Sequence, residues 1–306
     1  MQTILGAGGS IGTELSKELT AYTNKIRLVS RHPQKVNHTD ELFPADLTNA
    51  EETDKAVAGS EIVYLVAGLE YKLSVWQQQW PIIMRNVLDA CKKHKAKLVF
   101  FDNMYLYDAG KLAHMTEETP VNPISEKGKV RAQIAEMLLQ EVRTGSLQAL
   151  IARAPDFLGP KNSVAVEVIY KNLVKGKKAN WFVDAGKVHS LIYTPDAAKA
   201  TALLGNTPDA YNQVWHLPTS HEKLTAKDWI KLFARELGTE PNYMVLKPWM
   251  ISLIGLFIPV VKESKEMLYQ YDRDYYFDSS KFEKRFGMKA TAPEVAVRQV
   301  VQMLEN

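Results

Sequence analysis

Residues 5 to 12 read LGAGGSIG, directly after the short apolar run Met1 to Leu5 and directly before the amphipathic stretch TELSKEL. A glycine-rich turn between a strand and a helix is a place for a phosphate. Gly6 can turn the chain sharply, Gly9 lets the backbone approach a pyrophosphate and Gly12 lets the helix pack close, while the helix N-terminus offers N–H groups to the anion. The spacing is GxxGxxG, with Gly8 as an extra glycine. Surface turns are glycine-rich too, so it is the position after the first strand that gives the pattern its weight.

Short β-branched or aromatic runs recur along the chain: QTIL at 2–5, IRLV at 26–29, IVYLV at 62–66, KLVFF at 97–101, QALIA at 148–152 and VWHL at 214–217. Separated by amphipathic helices, they predict a doubly wound parallel sheet covered on both faces. Helices are predicted in ADLTNAEETDKAVAG, in RNVLDACKKH and in KVRAQIAEMLLQEV, whose stripe Val130, Ile134, Met137, Leu138 and Val142 packs on the sheet. The last third changes character, with helix starts at Thr194-Pro195, at Thr225 with Asp228, and at a capping box from Thr291 to Glu294. The expected organisation is a dinucleotide-binding domain over 1–158, to which 187–218 return, and a smaller, mainly helical C-terminal substrate lobe over 159–186 and 219–306.

The 306 residues carry a net charge of +3 with cations and carboxylates interleaved, so no nucleic-acid partner is expected. KKHKAK at 92–97 and KNLVKGKK at 171–178 read as solvated helix ends. The single cysteine, Cys91, lies on an apolar helix side and reads as core; with no leader ahead of the first strand, a cytoplasmic location is expected. WMISLIGLFIPVV at 249–261 is too short to cross a bilayer and reads as a buried helix or part of a pocket lid, with peripheral membrane contact as the lesser alternative. No membrane partner is expected from it.

The second strand ends in Ser30-Arg31. An acidic side chain there would accept from the adenosine ribose hydroxyls, whereas a cation suits a 2′-phosphate, so Arg31 tilts the choice to NADP over NAD. Arg31 as a plain surface residue of the RHPQK turn stays the alternative. In PADLTN, Asp46 and Leu47 sit where a loop could meet an adenine, although Asp46 could equally be the N-cap of the next helix.

LGAGGSIG, ADLTN, VYLVAG, LVFFDNMYLYD, MTEETPVNP, ARAPDFLGP, HSLIYTPDAA and FDSSKFEKRFG occur in the order seen in extended short-chain dehydrogenase/reductases, and the chain resembles their NAD-dependent epimerase/dehydratase group over nearly its whole length. The resemblance implies a Rossmann-type fold. It implies that Gly6, Gly9, Ser10, Ile11 and Gly12 hold the pyrophosphate, Asp46 and Leu47 the adenine, and that Ala67, Gly68 and Leu69 border the nicotinamide-side ribose. That family's usual centre is a Ser or Thr after the fourth strand with Tyr-x-x-x-Lys on the following helix, and this chain departs at all three places. Matching the motifs puts Asn103 at the Ser or Thr position, Lys127 at the tyrosine and Arg131 at the lysine. Tyr105 is the nearest phenol and the substitute proton donor, Asn103 is placed to polarise a carbonyl oxygen, Lys127 to bind the ribose or exchange a proton, and Arg131 to fix ribose or phosphate.

Four residues carry two readings each. Tyr105 and Tyr107 could simply fill the groove, Asp156 ties the crossover between lobes rather than catalysing, and His189 lines the substrate side or is a satisfied interior histidine. No group of His, Cys or carboxylates has metal-ligand spacing. Two functions follow. The first is an NAD(P)-dependent oxidoreductase or epimerase acting on a small polar carbonyl or hydroxyl compound, such as a nucleotide-linked sugar, in the cleft between lobes. The second is a catalytically altered dinucleotide-binding sensor or scaffold. The sequence leaves homodimerisation open.

Overall fold

A computed structural model describes residues 1–305. In chain order its strands are β1 (Gln2–Leu5), β2 (Ile26–Ser30), β3 (Glu41–Pro44), β4 (Ile62–Leu65), β5 (Lys97–Asn103) and β6 (Ala149–Ala154). They continue with β7 (Asp156–Leu158), β8 (Ala179–Phe182), β9 (Leu191–Tyr193), β10 (Val214–His216) and β11 (Tyr243–Leu246). The helices are α1 (Ser10–Leu19), α2 (Ala50–Val57), α3 (Leu73–His94), α4 (Glu126–Arg143), α5 (Lys171–Leu173) and α6 (Thr194–Gly205). After them come α7 (Ala226–Glu236), α8 (Pro248–Ile254), α9 (Pro259–Ser264), α10 (Ser280–Phe286) and α11 (Pro293–Glu305).

Two compact units result. The first comprises 1–106, 127–154 and 197–217; the second comprises 107–126, 155–196 and 218–305. Residues 107–126, 155–158, 187–196 and 218, placed by sequence with the first domain, cluster with the second unit. For 187–196 the cause is strand pairing, because β9 hydrogen-bonds to β7 in a two-stranded parallel sheet.

The first unit is built on a seven-stranded sheet of order β10-β6-β5-β4-β1-β2-β3, parallel throughout. β1, β4 and β6 are buried at every position, as continuous apolar strands with both faces covered must be. The strand order reverses between β1 and β4, and beyond the C-terminal ends of a reversing pair an open crevice forms. On the stripe of α4, Val130, Ile134 and Leu138 are buried. Cys91 lies in the core, and burial pushes its thiol far above the usual range, so it is no nucleophile.

α3 runs for 22 residues straight through Pro81, well upstream of the RNVLDACKKH segment. In the second unit, β8 pairs with β11, and Trp181, Trp229, Phe233 and Val300 share a core with the inner sides of α7 and α11. α7 starts at a full capping box of Thr225 and Asp228. Thr291 is used differently: its hydroxyl and N–H both donate to the Asp196 carboxylate, at 2.9 and 2.7 Å, and α11 starts two residues later.

Candidate active site

At the end of β1, Gly6 takes φ +99°, a conformation L side chains rarely adopt, and a Cβ there would lie 2.4 Å from Ala67 Cα. The loop after β1 and the loop after β4 are thus in backbone contact at the reversal of strand order. A Cβ on Gly12 would meet Gly6 O at 2.7 Å and Ala7 Cα at 2.8 Å, so α1 packs down on the turn. The other face of the loop is open: a Cβ on Gly8 or Gly68 would find no atom within 4 Å, and one on Gly9 only Gly6 O at 3.6 Å. α1 begins after Gly9 with no side-chain cap and no acidic residue in its first turn. A ten-residue helix with an unblocked positive end behind a glycine cradle fits a pyrophosphate.

Along the same sheet edge, Ser30 closes β2, and Arg31 is exposed directly after it. Asp46 follows β3, and its Oδ1 accepts from the Thr48 N–H at 2.9 Å and the Thr48 hydroxyl at 2.8 Å. Those two hydrogen bonds hold the Asp46 carboxyl below the usual carboxylate range against a small opposing effect of burial, with the charge of Arg31 adding to them. The N-cap of α2 is Asn49, whose side chain accepts from Glu51 and Glu52 N–H, so Asp46 is an Asx turn and not the cap. Leu47 is buried, and its carbonyl accepts from the Asn86 amide at 2.9 Å. Ala67 and Leu69 are half-buried and Gly68 is exposed.

A chain of aromatic rings links Lys127 to Tyr105. Lys127, in the first turn of α4, is buried with Nζ 4.8 Å from the centre of the Tyr71 ring. Tyr71 meets Trp76 edge-on at 5.7 Å, and Trp76 stacks on Tyr105 at 6.3 Å. The Trp76 indole N–H donates to Glu70 O at 3.0 Å and so pins the 67–72 loop to α3. Asn103 Oδ1 accepts from the Tyr105 N–H at 3.1 Å, which fixes the strand-end turn and leaves the amide NH2 as donor. Tyr107 is buried and belongs to the second unit.

Arg131 is committed elsewhere. Its Nε donates to Asp102 Oδ1 at 2.8 Å, while Arg153 Nε and Nη2 take Asp102 Oδ2 at 3.0 and 2.9 Å. All three side chains are buried, and the Arg131 guanidinium also lies over Trp80 at 4.7 Å and Phe100 at 4.9 Å. The expectation that Arg131 grips ribose or phosphate is corrected on this ground: its fork is occupied by a carboxylate in the interior, and it clamps α4 to β5. Because Lys127 and Arg131 are one turn apart on one helix face, the clamp sets the height of Lys127 along α4.

In the second unit His189 is a satisfied interior histidine. It is stacked between Tyr271 at 4.9 Å and Tyr275 at 4.4 Å, and its Nε2 is 2.9 Å from Asp156 Oδ2. Asp156 is its side-chain hydrogen-bond partner. A depression of about 450 Å³ in this unit, lined by Ala109, Gly110, Ala113, Asp272 and Arg273, contains none of the predicted site residues. No group of His, Cys, Asp or Glu among the described residues could hold a metal ion.

Sequence reasoning missed Tyr71, Asp102 and Arg153. Asp102 carried a signal: a carboxylate that continues the apolar run KLVFF inside a sheet requires buried cations. Tyr71 carried none, since its pairing with Lys127 spans 56 positions (127 − 71).

Residues 3–216 match the sequence model of the NAD dependent epimerase/dehydratase family. No curated protein matches the chain. Among solved structures, it is similar to UDP-glucose 4-epimerase from Thermus thermophilus in complex with NAD, with TM-score 0.81, 16% identity and coverage of 100% and 99% of the two chains. It is similar also to UDP-glucuronic acid 4-epimerase from Bacillus cereus in complex with NAD, at TM-score 0.80, 15% identity and coverage of 99% and 100%. A third is dTDP-glucose 4,6-dehydratase from Bacillus anthracis str. Ames in complex with NAD, at TM-score 0.80, 16% identity and coverage of 99% and 96%. At these identities the likeness establishes the fold.

Proposed function

Since the chain belongs to the NAD dependent epimerase/dehydratase family, we propose that it binds a nicotinamide dinucleotide on the β1 and β4 loops and acts as an oxidoreductase or epimerase on a small polar hydroxyl or carbonyl compound. The observation that carries this reading is the glycine cradle: it has an open face, abuts the Ala67 loop and ends in an uncapped ten-residue helix. Gly6, Gly9, Ser10, Ile11 and Gly12 hold the pyrophosphate, Asp46 and Leu47 border the adenine, and Ala67, Gly68 and Leu69 border the nicotinamide-side ribose. Ser30 and Arg31 favour a 2′-phosphate, hence NADP, because Arg31 is an exposed guanidinium at the end of β2 with no acidic residue beside it in sequence.

The nicotinamide, when bound, supplies hydride exchange. The rest of the chemistry falls to the chain. Tyr105 moves the proton at the substrate oxygen, Asn103 polarises that oxygen through its amide NH2, and Lys127 donates to a ribose hydroxyl. Arg131 is a positioning residue that acts through Asp102. Nucleotide-linked sugars are the substrate class to screen first, being what the similar epimerases and the dehydratase are named for.

The second reading is a dinucleotide-binding protein without turnover. It is favoured by one observation: Arg131, which the resemblance matches to the family's lysine, is sequestered by Asp102. Calorimetric titration with NADP, NADPH, NAD and NADH, repeated on Arg31→Ala, separates the cases. Binding of the phosphorylated pair that weakens in the variant supports the NADP assignment, and hydride exchange with any nucleotide sugar supports the enzyme. Tight binding with no exchange across the panel favours the second reading, and no binding at all overturns both.

A further inference from the structure

The segment 249–261, read from sequence as a buried helix or part of a pocket lid with peripheral membrane contact as the lesser alternative, is a pair of short helices that bury Ile251 and expose most of their apolar side chains. α8 and α9 are joined by Gly255–Ile258, and Trp249, Leu253, Leu256, Phe257, Ile258 and Val260 are all exposed, Leu256 and Phe257 at 75% and 80%. Six large apolar side chains within twelve residues form a patch of a kind that isolated soluble surfaces rarely carry. Every residue from Pro248 to Val261 is uncharged, and the stretch is bounded by the exposed lysines Lys247 and Lys262, with Lys265 one turn on. Two carboxylates lie near these lysines in sequence: Glu263 is half-buried, and Glu266 accepts from the Glu126 N–H at 2.6 Å.

The backbone of the tip is closed on itself. The N–H groups of Gly255, Leu256, Phe257 and Ile258 donate to carbonyls of Ile251, Leu253 and Ile254 at 2.9 to 3.2 Å, and those of Val261 and Lys262 donate to Ile258 O. Pro259 has no N–H, and the Ser252 hydroxyl donates to Pro248 O at 2.9 Å. A tip with apolar side chains outside and most of its N–H groups hydrogen-bonded within the hairpin suits the hydrocarbon boundary, where water is scarce. Leu256, Phe257 and Ile258 are consecutive and exposed together, an arrangement that suits a fluid phase better than one flat complementary surface.

We propose that the 248–261 hairpin is a membrane-surface anchor: its tip enters the acyl boundary of an anionic bilayer, with Trp249 at the headgroup level and Lys247, Lys262 and Lys265 against lipid phosphates. The anchor does not span, since no helix among the described residues is long and apolar enough to cross a membrane. It rests on the hairpin alone and stands or falls independently of the dinucleotide site.

Five of the six tryptophans, Trp76, Trp80, Trp181, Trp215 and Trp229, are buried, so Trp249 is the tryptophan open to contact quenchers. The experiment titrates the full chain with vesicles of phosphatidylcholine mixed with phosphatidylglycerol, with and without acyl-brominated lipid, and sediments the vesicles. The expected result is co-sedimentation, a blue shift, and bromine quenching that disappears in Trp249→Phe. Phe257→Asp lowers the partition coefficient by about tenfold or more, and Lys247→Gln with Lys262→Gln lowers it by roughly thirtyfold on anionic vesicles. These side chains are exposed, so all variants keep the parent's thermal unfolding profile, and that profile is recorded. Absence of vesicle binding, with Trp249 still quenched by aqueous iodide, overturns the anchor. So does concentration-dependent shielding of Trp249 without lipid, accompanied by dimer in sedimentation velocity, which assigns the hairpin to a second copy.

Discussion

The two ends of the proposed site are made of different materials. At the β1 and β4 loops the work is done by backbone: Gly6, Gly12 and Ala67 set an approach that tolerates no added carbon, and α1 presents its N–H groups. At α4 it is done by side chains gathered from separate elements: Lys127 from the helix, Tyr71 and Trp76 from the β4–α3 segment, Asn103 and Tyr105 from the end of β5. A backbone-built subsite depends on φ and on the absence of Cβ atoms, so few sequences satisfy it. A side-chain-built one can exchange a phenol for an ammonium and be rebuilt around the change, as long as the supporting helix is held in place.

The sharpest way to break this comparison is Gly6→Ala. The new Cβ meets Ala67 Cα and N at 2.4 and 2.5 Å in a left-handed conformation, so the two loops must part. A loss of about 4 kcal/mol or more is expected, or no folded protein at all. Urea denaturation followed by circular dichroism measures it. A loss under about 1 kcal/mol means that the loops do not abut and that the backbone-built subsite is not rigid.

Next in size is the clamp beneath the other end. Asp102→Ala leaves the buried guanidinium groups of Arg131 and Arg153 without their carboxylate, at an expected cost of about 3 kcal/mol. Arg131→Met costs less, because Asp102 keeps Arg153. Combining Asp102→Leu, Arg131→Met and Arg153→Met returns most of the stability if the packing volume is retained. Equal losses for Asp102→Ala and Arg131→Met would show that Arg153 does not hold the carboxylate as the geometry has it.

The contrast between backbone and side chain also explains what the sequence disclosed. The sheet was legible because its strands are buried on both faces and therefore read as continuous apolar runs. β3 was not, since ELFP is an edge strand with Glu41 and Pro44 and three exposed positions of four. The glycine loop was legible because φ and close approach write themselves into residue type at one place in the chain. Tyr71 beside Lys127, and Arg153 beside Asp102, depend on pairings across the fold that no local pattern records. The hairpin at 248–261 misled for the converse reason: apolar residues are equally suited to a core, a lid or a lipid surface, and only exposure separates them.

At the side-chain end, Tyr105→Phe removes one hydroxyl and keeps the ring that stacks on Trp76. With a turned-over substrate in hand, kcat is expected to fall about a hundredfold, with stability changed by under about 1 kcal/mol. Lys127→Met is expected to raise KM for the dinucleotide and to weaken its binding in the calorimeter. If Tyr105→Phe retains full kcat while Tyr71→Phe loses it, the proton comes from the β4 loop, and the division of labour shifts toward the residue whose ring faces Lys127.

The smallest effect tests the open face of the cradle. Gly8→Ala and Gly9→Ala place a methyl where the protein has nothing within 4 Å, or only Gly6 O at 3.6 Å, and Gly9 already has an extended backbone at φ −79°. Both variants are expected to stay within about 0.5 kcal/mol of the parent in urea, since neither conformation penalises alanine. The space they fill is the space assigned to the pyrophosphate. Dinucleotide affinity is therefore expected to fall by about tenfold in Gly9→Ala, a difference of about 1.4 kcal/mol, while the fold is untouched. Gly12→Ala serves as the opposite control, because its Cβ strikes Gly6 O at 2.7 Å and the cost falls on stability instead of binding. If Gly9→Ala binds the dinucleotide as the parent does, the ligand does not lie against that face, and the open side of the loop is only a surface.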